Sequence, residues 1–240
     1  MRNWLYIGLA GWLMAMMGNA ALAAGKYEGI KGCGGCHKSQ KESWEQTAHG
    51  KAFESLKPNA KAAEKKKAKL DPAKDYTQDK DCIGCHTIGF GEAGGYQAGM
   101  SEATAKNLVG VGCEDCHGAG GTYRREHRKA GDAFKKTQKP TPRQKLVSAG
   151  EHFDYEASCA KCHMNYEGSP WKEAKAPYTP FTPKVDAKYK FDFDKAVQNK
   201  KALHEHFKLK GVFDGEPVPK IRAGFQKTAK EAVAGEEDKE

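Results

Sequence analysis

Apolar residues are dense only at the start of this chain. From about Trp4 to Met17 they run almost unbroken, behind Met1-Arg2-Asn3 and ahead of Ala21-Leu22-Ala23. One basic residue, a short apolar run and then small residues make the pattern of a secretory leader, so 1–23 reads as a signal peptide and 24–240 as the mature chain. A retained anchor is the alternative, but the run is short for a bilayer span and ends on small rather than basic residues. No later segment is apolar enough to cross a membrane. The mature chain is expected to be exported and not inserted in a membrane.

Beyond the leader, apolar positions recur at helical spacing after Cys33 and over 59–70, 123–136, 142–149 and 193–210. Thr141-Pro142 offers an N-cap followed by proline at the first helical position, and Gly211 stands where the last helix should close. Strand-like alternation is sparse. The glycines between His86 and Cys113 mark a loop. They have no strand-to-helix context and no P-loop lysine, so they are no phosphate cradle; close backbone approach to a bound group is the expected use. Tyr166 to Tyr189, rich in proline and aromatic residues, reads as an ordered strap, and 232–240 as a fraying tail.

Composition sets a problem for this pattern. A mean hydropathy of −0.79 and 38% hydrophobic residues leave little apolar side chain for an ordinary core. The cysteines resolve it. All 8 fall in four Cys-x-x-Cys-His pentads: Cys33, Cys36 and His37; Cys82, Cys85 and His86; Cys113, Cys116 and His117; Cys159, Cys162 and His163. Zinc sites, disulfides or thioredoxin-like pairs would account for the cysteines but not for the histidine that follows each pair. The pentad is the attachment signature of c-type haem: two thiols reach the two vinyl groups of one porphyrin, and the adjacent histidine becomes the fifth iron ligand.

Four covalently bound c-type haems are therefore expected. Their faces would supply the missing apolar surface, so neither a conventional core nor much folding without haem is expected. The pentads do not recur at a fixed period, and any cut would part a haem from candidate ligands elsewhere. The expected fold is mainly α, a single haem-packed multihaem cytochrome domain with little β structure and long ordered loops. The formal charge of +9 loses Arg2 with the leader, and the remaining +8 is what eight haem propionates would balance. The basic excess thus points away from nucleic acid and toward docking on an acidic redox partner. The lysine-rich run from Lys61 to Lys69 reads as a solvated helix face.

The sixth ligand decides what each haem does: a second histidine suits electron transfer, and an open position binds small molecules. Of the 9 histidines, the pentads leave His49, His127, His152, His204 and His206. On a helix His49 shares a face with Ala52, Phe53 and Leu56, and His127 with Tyr123, Ala130 and Phe134. In the last expected helix His204 lies with Phe193, Val197 and Phe207, while His206 points about 200° away. His49, His127 and His204 are accordingly the expected distal ligands. Three cannot fill four irons, so one haem is expected to stay five-coordinate.

Several segments resemble the cytochrome c-554 family of periplasmic tetrahaem cytochromes from ammonia-oxidising bacteria. They include Leu70-Asp71-Pro72-Ala73-Lys74-Asp75-Tyr76 running on to Cys82, Asn165-Tyr166-Glu167-Gly168-Ser169-Pro170-Trp171, and Ala174-Lys175-Ala176-Pro177-Tyr178-Thr179-Pro180-Phe181-Thr182-Pro183. The resemblance implies a mostly helical carrier that accepts electrons from hydroxylamine oxidoreductase and passes them to a membrane tetrahaem cytochrome. It implies His49, His127 and His204 as distal ligands, His86 as proximal ligand of the open haem, and Thr179, Pro180 and Phe181 over that haem. Two features depart from the family pattern: the loop between Tyr96 and Val109, and Asp154 at a family histidine position, with His152 displaced from it.

Electron transfer is the leading function on this reading, with no catalytic residue assigned. Nitric oxide reduction at the His86 haem is an alternative that needs a proton donor the sequence does not place. A membrane-anchored quinol dehydrogenase is a third, and would require an uncleaved N-terminus.

Overall fold

The computed structural model describes residues 25–231; the leader, the cleavage point and the 232–240 tail lie outside the described residues. The helices are α1 Gly29–Gly34, α2 Lys38–Trp44, α3 Ala62–Lys67, α4 Lys80–His86, α5 Glu102–Ala105 and α6 Cys113–His117. They continue with α7 Gly120–Thr137, α8 Gln144–Ser148, α9 Tyr155–His163, α10 Phe193–Ala196 and α11 Arg222–Thr228. Short 3₁₀ turns stand at Phe53–Leu56 and Ala187–Tyr189. Two parallel strands, β1 Thr141–Pro142 and β2 Phe213–Asp214, form the sheet, with Thr141 opposite Phe213. The protein is mainly α, and none of the described helices is long and apolar enough to cross a membrane.

The second, third and fourth pentads are each carried by a short helix whose start is held by its own side chains. Asp79 accepts from Asp81 N (3.1 Å) at the head of α4. Asp115 reaches back to Gly112 N (2.7 Å) at the head of α6. Asp154 accepts from Ala157 N (3.0 Å) at the head of α9. These are N-cap bonds that satisfy donors the helix itself leaves open. The aspartate that departs from the family pattern thus caps the helix of the fourth pentad.

α7 runs for 18 residues and closes on Gln138 in the left-handed region. The small sheet lies behind it. Thr141 N and Arg143 N donate to Val212 O and Asp214 O (both 2.8 Å), and Pro142, which has no N–H, falls between these bonds. The buried Arg143 guanidinium then donates to the carbonyls of Phe213, Gly215 and Pro217, tying 213–217 to this edge.

Thr141-Pro142 does not open a helix as expected, because both residues stand in β1 and α8 follows Arg143; four more expectations need correction. The long helix over 193–210 does not form. Asp192 caps α10, which ends at Ala196, and the turn bonds that follow reach no farther than Leu203. Beyond it, Glu205 N donates to Ser43 Oγ (2.7 Å), while Lys208 N and Lys230 N bond to Lys230 O and His206 O. Tertiary partners have taken the backbone groups that a helix would have used.

Second, a conventional apolar cluster does exist: Phe53, Leu56, Tyr76, Ile83, Tyr96 and Ala105 are buried together around α4. Third, the glycines after His86 serve protein contacts. A Cβ on Gly89, at φ +58°, would lie 2.6 Å from the Tyr27 ring, and one on Gly95 would collide with Gly89 O. Only glycine allows that approach. Fourth, the lysine run is not wholly solvated. Lys65 is 3% exposed, donates to Lys57 O (2.8 Å) and lies over the Tyr76 ring.

Candidate haem-binding site

In α4, α6 and α9 the two cysteines and the histidine stand at i, i+3 and i+4 of one helix, on one face. In the first pentad, Cys36 and His37 follow the end of α1, and His37 opens α2. The thiols of different pentads meet. Cys33 is hydrogen-bonded to Cys113, a contact that, with burial, pushes the Cys33 thiol up. Cys85 is likewise hydrogen-bonded to Cys162, whose thiol is raised first by that contact and then by burial. α6 packs on both α1 and α9. In space the pentads therefore run first, third, fourth, second.

One continuous cavity joins the first and third pentads to Cys159 and is also lined by His49, His127, His204 and His206. The His37 and His127 rings face each other across it at 5.9 Å, and the His49 and His163 rings stand 6.0 Å apart. Two imidazoles binding one metal through bonds of about 2 Å place their ring centroids roughly 6 Å apart. The residues present thus fit an iron between each pair. His117 and His204 line the same cavity, and of the charged groups acting on His117, His204 acts most strongly.

Burial favours the neutral form of His49, His86, His117 and His163, which is the form that binds a metal. Burial pulls His117 down to about 4, with His204 adding to the effect. Burial, then His163, pulls His49 to about 4. His163 and His86 are lowered by burial, and His163 stacks on Phe191 at 4.9 Å. His204 Nδ1 donates to Glu205 O (2.7 Å), and His86 Nδ1 to Ala52 O (2.7 Å), with Ser55 Oγ at 3.2 Å. Both bonds fix the tautomer and leave Nε2 as the ligating nitrogen. Among the described residues His86 makes no ring contact with a second histidine.

The helical-face reason for preferring His204 over His206 falls with the helix: both rings line the cavity, 5.0 Å apart. What separates them is that His206 lies flat on Phe225, 3.9 Å away at 16°. His152 packs behind His117, donating its N–H to His117 O (2.8 Å). His49 precedes the 3₁₀ turn rather than standing on an α-helix, yet Phe53 and Leu56 are buried beside it as its spacing implied.

The strap is pinned by Asn165, two residues beyond the fourth pentad. Its Nδ2 donates to Pro177 O (2.8 Å), its Oδ1 accepts from Lys175 N (2.7 Å), and its carbonyl accepts from Thr179 N (2.9 Å). Thr179 Oγ1 accepts from Phe181 N (3.1 Å), and Phe181 packs on Tyr189 at 5.4 Å, so Thr179, Pro180 and Phe181 form a braced turn. The fourth pentad, next to which the strap is pinned, meets the second at the Cys162–Cys85 contact. Sequence reading missed Asn165 and the aromatic neighbours Phe191, Phe213 and Tyr155, which pack against His163, His127 and His117. None of them carries a local motif; only their placement marks them.

Thiol pairs and histidines on single helical faces, with imidazoles set about 6 Å from one another in two pairs, define a c-type cytochrome. The family model described as cytochrome c554 and c-prime matches residues 32–118. The chain is 58% identical over 218 residues to cytochrome c-554 of Nitrosomonas europaea, covering 91% of this chain and 92% of that relative. Its fold is similar to the solved reduced state of cytochrome c554 from Nitrosomonas europaea, with a TM-score of 0.83 and 59% identity over 87% of this chain and 99% of that one. The chain belongs to the cytochrome c-554 family: it is an electron-carrying cytochrome that binds c-type haem.

Proposed function

We propose that the protein binds four haems, one at each pentad, and works as a periplasmic electron carrier between hydroxylamine oxidoreductase and a membrane tetrahaem cytochrome. His37 and His127, His117 and His204, and His163 and His49 are the axial pairs; His86 binds its iron alone. The observation that carries this reading is the pair of opposed imidazoles at 5.9 and 6.0 Å. Bound haem supplies reversible one-electron iron chemistry. The chain's residues bury His49, His86, His117 and His163 in surroundings that favour the neutral ring, fix the tautomer of His86 and His204, and bring the pentads close enough to touch through their thiols. Export agrees with the N-terminal leader, because thioether attachment takes place outside the cytoplasm.

Intact mass and a spin count on the fully ferric protein test the assignment. Four haem additions, with one high-spin iron among three low-spin, are expected; four low-spin irons would overturn the His86 assignment. Stopped-flow reduction by hydroxylamine oxidoreductase and hydroxylamine tests the donor, and a rate no faster than with an unrelated basic multihaem cytochrome would remove that partner.

Nitric oxide reduction at the His86 haem is a second reading, favoured by the missing ring partner of His86. Catalytic turnover by the reduced protein would support it, whereas stoichiometric binding would leave a carrier with an open site.

A further inference from the structure

Both variable positions of the third pentad are acidic, and they face opposite ways. Glu114 is 2% exposed. Its carboxylate accepts from Glu28 N with both oxygens (2.9 and 3.0 Å), from Gly29 N (2.7 Å) and from Gly120 N (2.6 Å). Gly29 opens α1, which carries Cys33, and Gly120 opens α7, which carries His127. One side chain of α6 thus joins the supports of the first and third pentads. Asp115, the next residue, turns instead toward the loop after the second pentad, where Gly89 N lies 3.4 Å from Oδ1.

The reach of the Glu114 charge follows this geometry. It acts on Cys33, Cys113 and Tyr123, around the first and third pentads, and on the nearby Tyr27 and Asp115. Asp115 also acts on Cys113 and Cys116 of the third pentad and reaches farther, to Cys85 and Cys162 of the second and fourth, on which Glu114 does not act. Backbone N–H groups stabilise a carboxylate without cancelling its net charge. In a buried, weakly screened setting such a charge is felt strongly by neighbouring groups. Reduction of a haem adds one electron, so a fixed negative charge beside it favours the oxidised form.

We propose that the buried Glu114 carboxylate sets the reduction potentials of the first and third haems, holding both lower than a neutral residue would. This rests on the four-haem reading above. The role is electrostatic as well as mechanical, because the same carboxylate that clamps α1 and α7 supplies the charge.

The test is spectroelectrochemistry of the holoprotein after mass analysis has counted its haems. In Glu114→Gln, two of the four potentials are expected to rise and two to stay, with the high-spin iron at His86 reduced at its native potential. Glu114→Asp, which keeps the charge and shortens the clamp, is expected to retain potentials near native. If Glu114→Gln does not load fully, Glu114→Ser, small enough to admit water to the freed N–H groups, takes its place. Unchanged potentials in a fully loaded neutral variant overturn the proposal, as does an equal rise of all four. If no neutral variant loads haem, Glu114 is a folding residue only, which also overturns it. A native protein with fewer than four haems would instead refute the four-haem reading, and the mass count shows this before any potential is measured.

Discussion

Replacing Asn165 with alanine loosens the strap from the fourth pentad and leaves every proposed iron ligand in place. The side chain is 8% exposed and makes two hydrogen bonds, at 2.8 Å to Pro177 O and 2.7 Å from Lys175 N. Each contributes about 1 kcal/mol net, so their loss shifts the strap's opening equilibrium by about 2 kcal/mol. That corresponds to roughly a thirtyfold larger open population. The Thr179 N to Asn165 O bond (2.9 Å) survives, which makes thirtyfold an upper bound. If the turn of Thr179, Pro180 and Phe181 covers the His86 haem, carbon monoxide should bind the reduced variant several-fold to thirtyfold faster. Flash photolysis measures this directly. An unchanged rate in a variant whose melting temperature has fallen would refute the reasoning, because the strap would then be anchored by Asn165 without guarding the iron.

Other changes address the remaining elements. His49→Ala should convert one low-spin iron to high-spin, visible by electron paramagnetic resonance, because the opposed ring at 6.0 Å belongs to His163 alone; an unchanged spin count would remove His49 as a ligand. Phe53→Ala should cost about 3–5 kcal/mol in denaturant unfolding, since Phe53 is 2% exposed within the cluster around α4. A loss under about 1 kcal/mol would mean that the cluster is no core. Burial raises Glu151 from its ordinary 4.5 to about 7, so the folded chain keeps a proton there that the unfolded chain releases. Stability is therefore lost as pH rises through that window, and Glu151→Gln should be more stable than the native protein at pH 8 by a few kcal/mol. The advantage should vanish below pH 4.5, where both states are protonated; a constant difference between acid and alkaline pH would show that Glu151 is already ionised in the fold.

What the sequence determined was local chemistry. Covalent attachment depends on residues within one helical turn, so Cys82, Cys85 and His86 announce a haem site without knowledge of anything distant. The same locality made α7 and the body of α8 legible, though not the start of α8, and singled out His49 and His127 as candidate ligands by their apolar spacing. Where partners lie far apart in sequence, reading failed. The stretch 197–210 carries a helical pattern, yet Ser43 and Lys230 claim its backbone groups, and His206 finds Phe225 rather than solvent. Lys65 looked solvated because nothing nearby reveals Tyr76 beneath it. Only the tertiary structure decided that the pentads run first, third, fourth, second, that His127 faces His37 and His49 faces His163, and that Glu114 joins α1 to α7. These are contacts between segments about 40 to 115 residues apart, and they arise from shape and burial, which no local pattern of residues encodes.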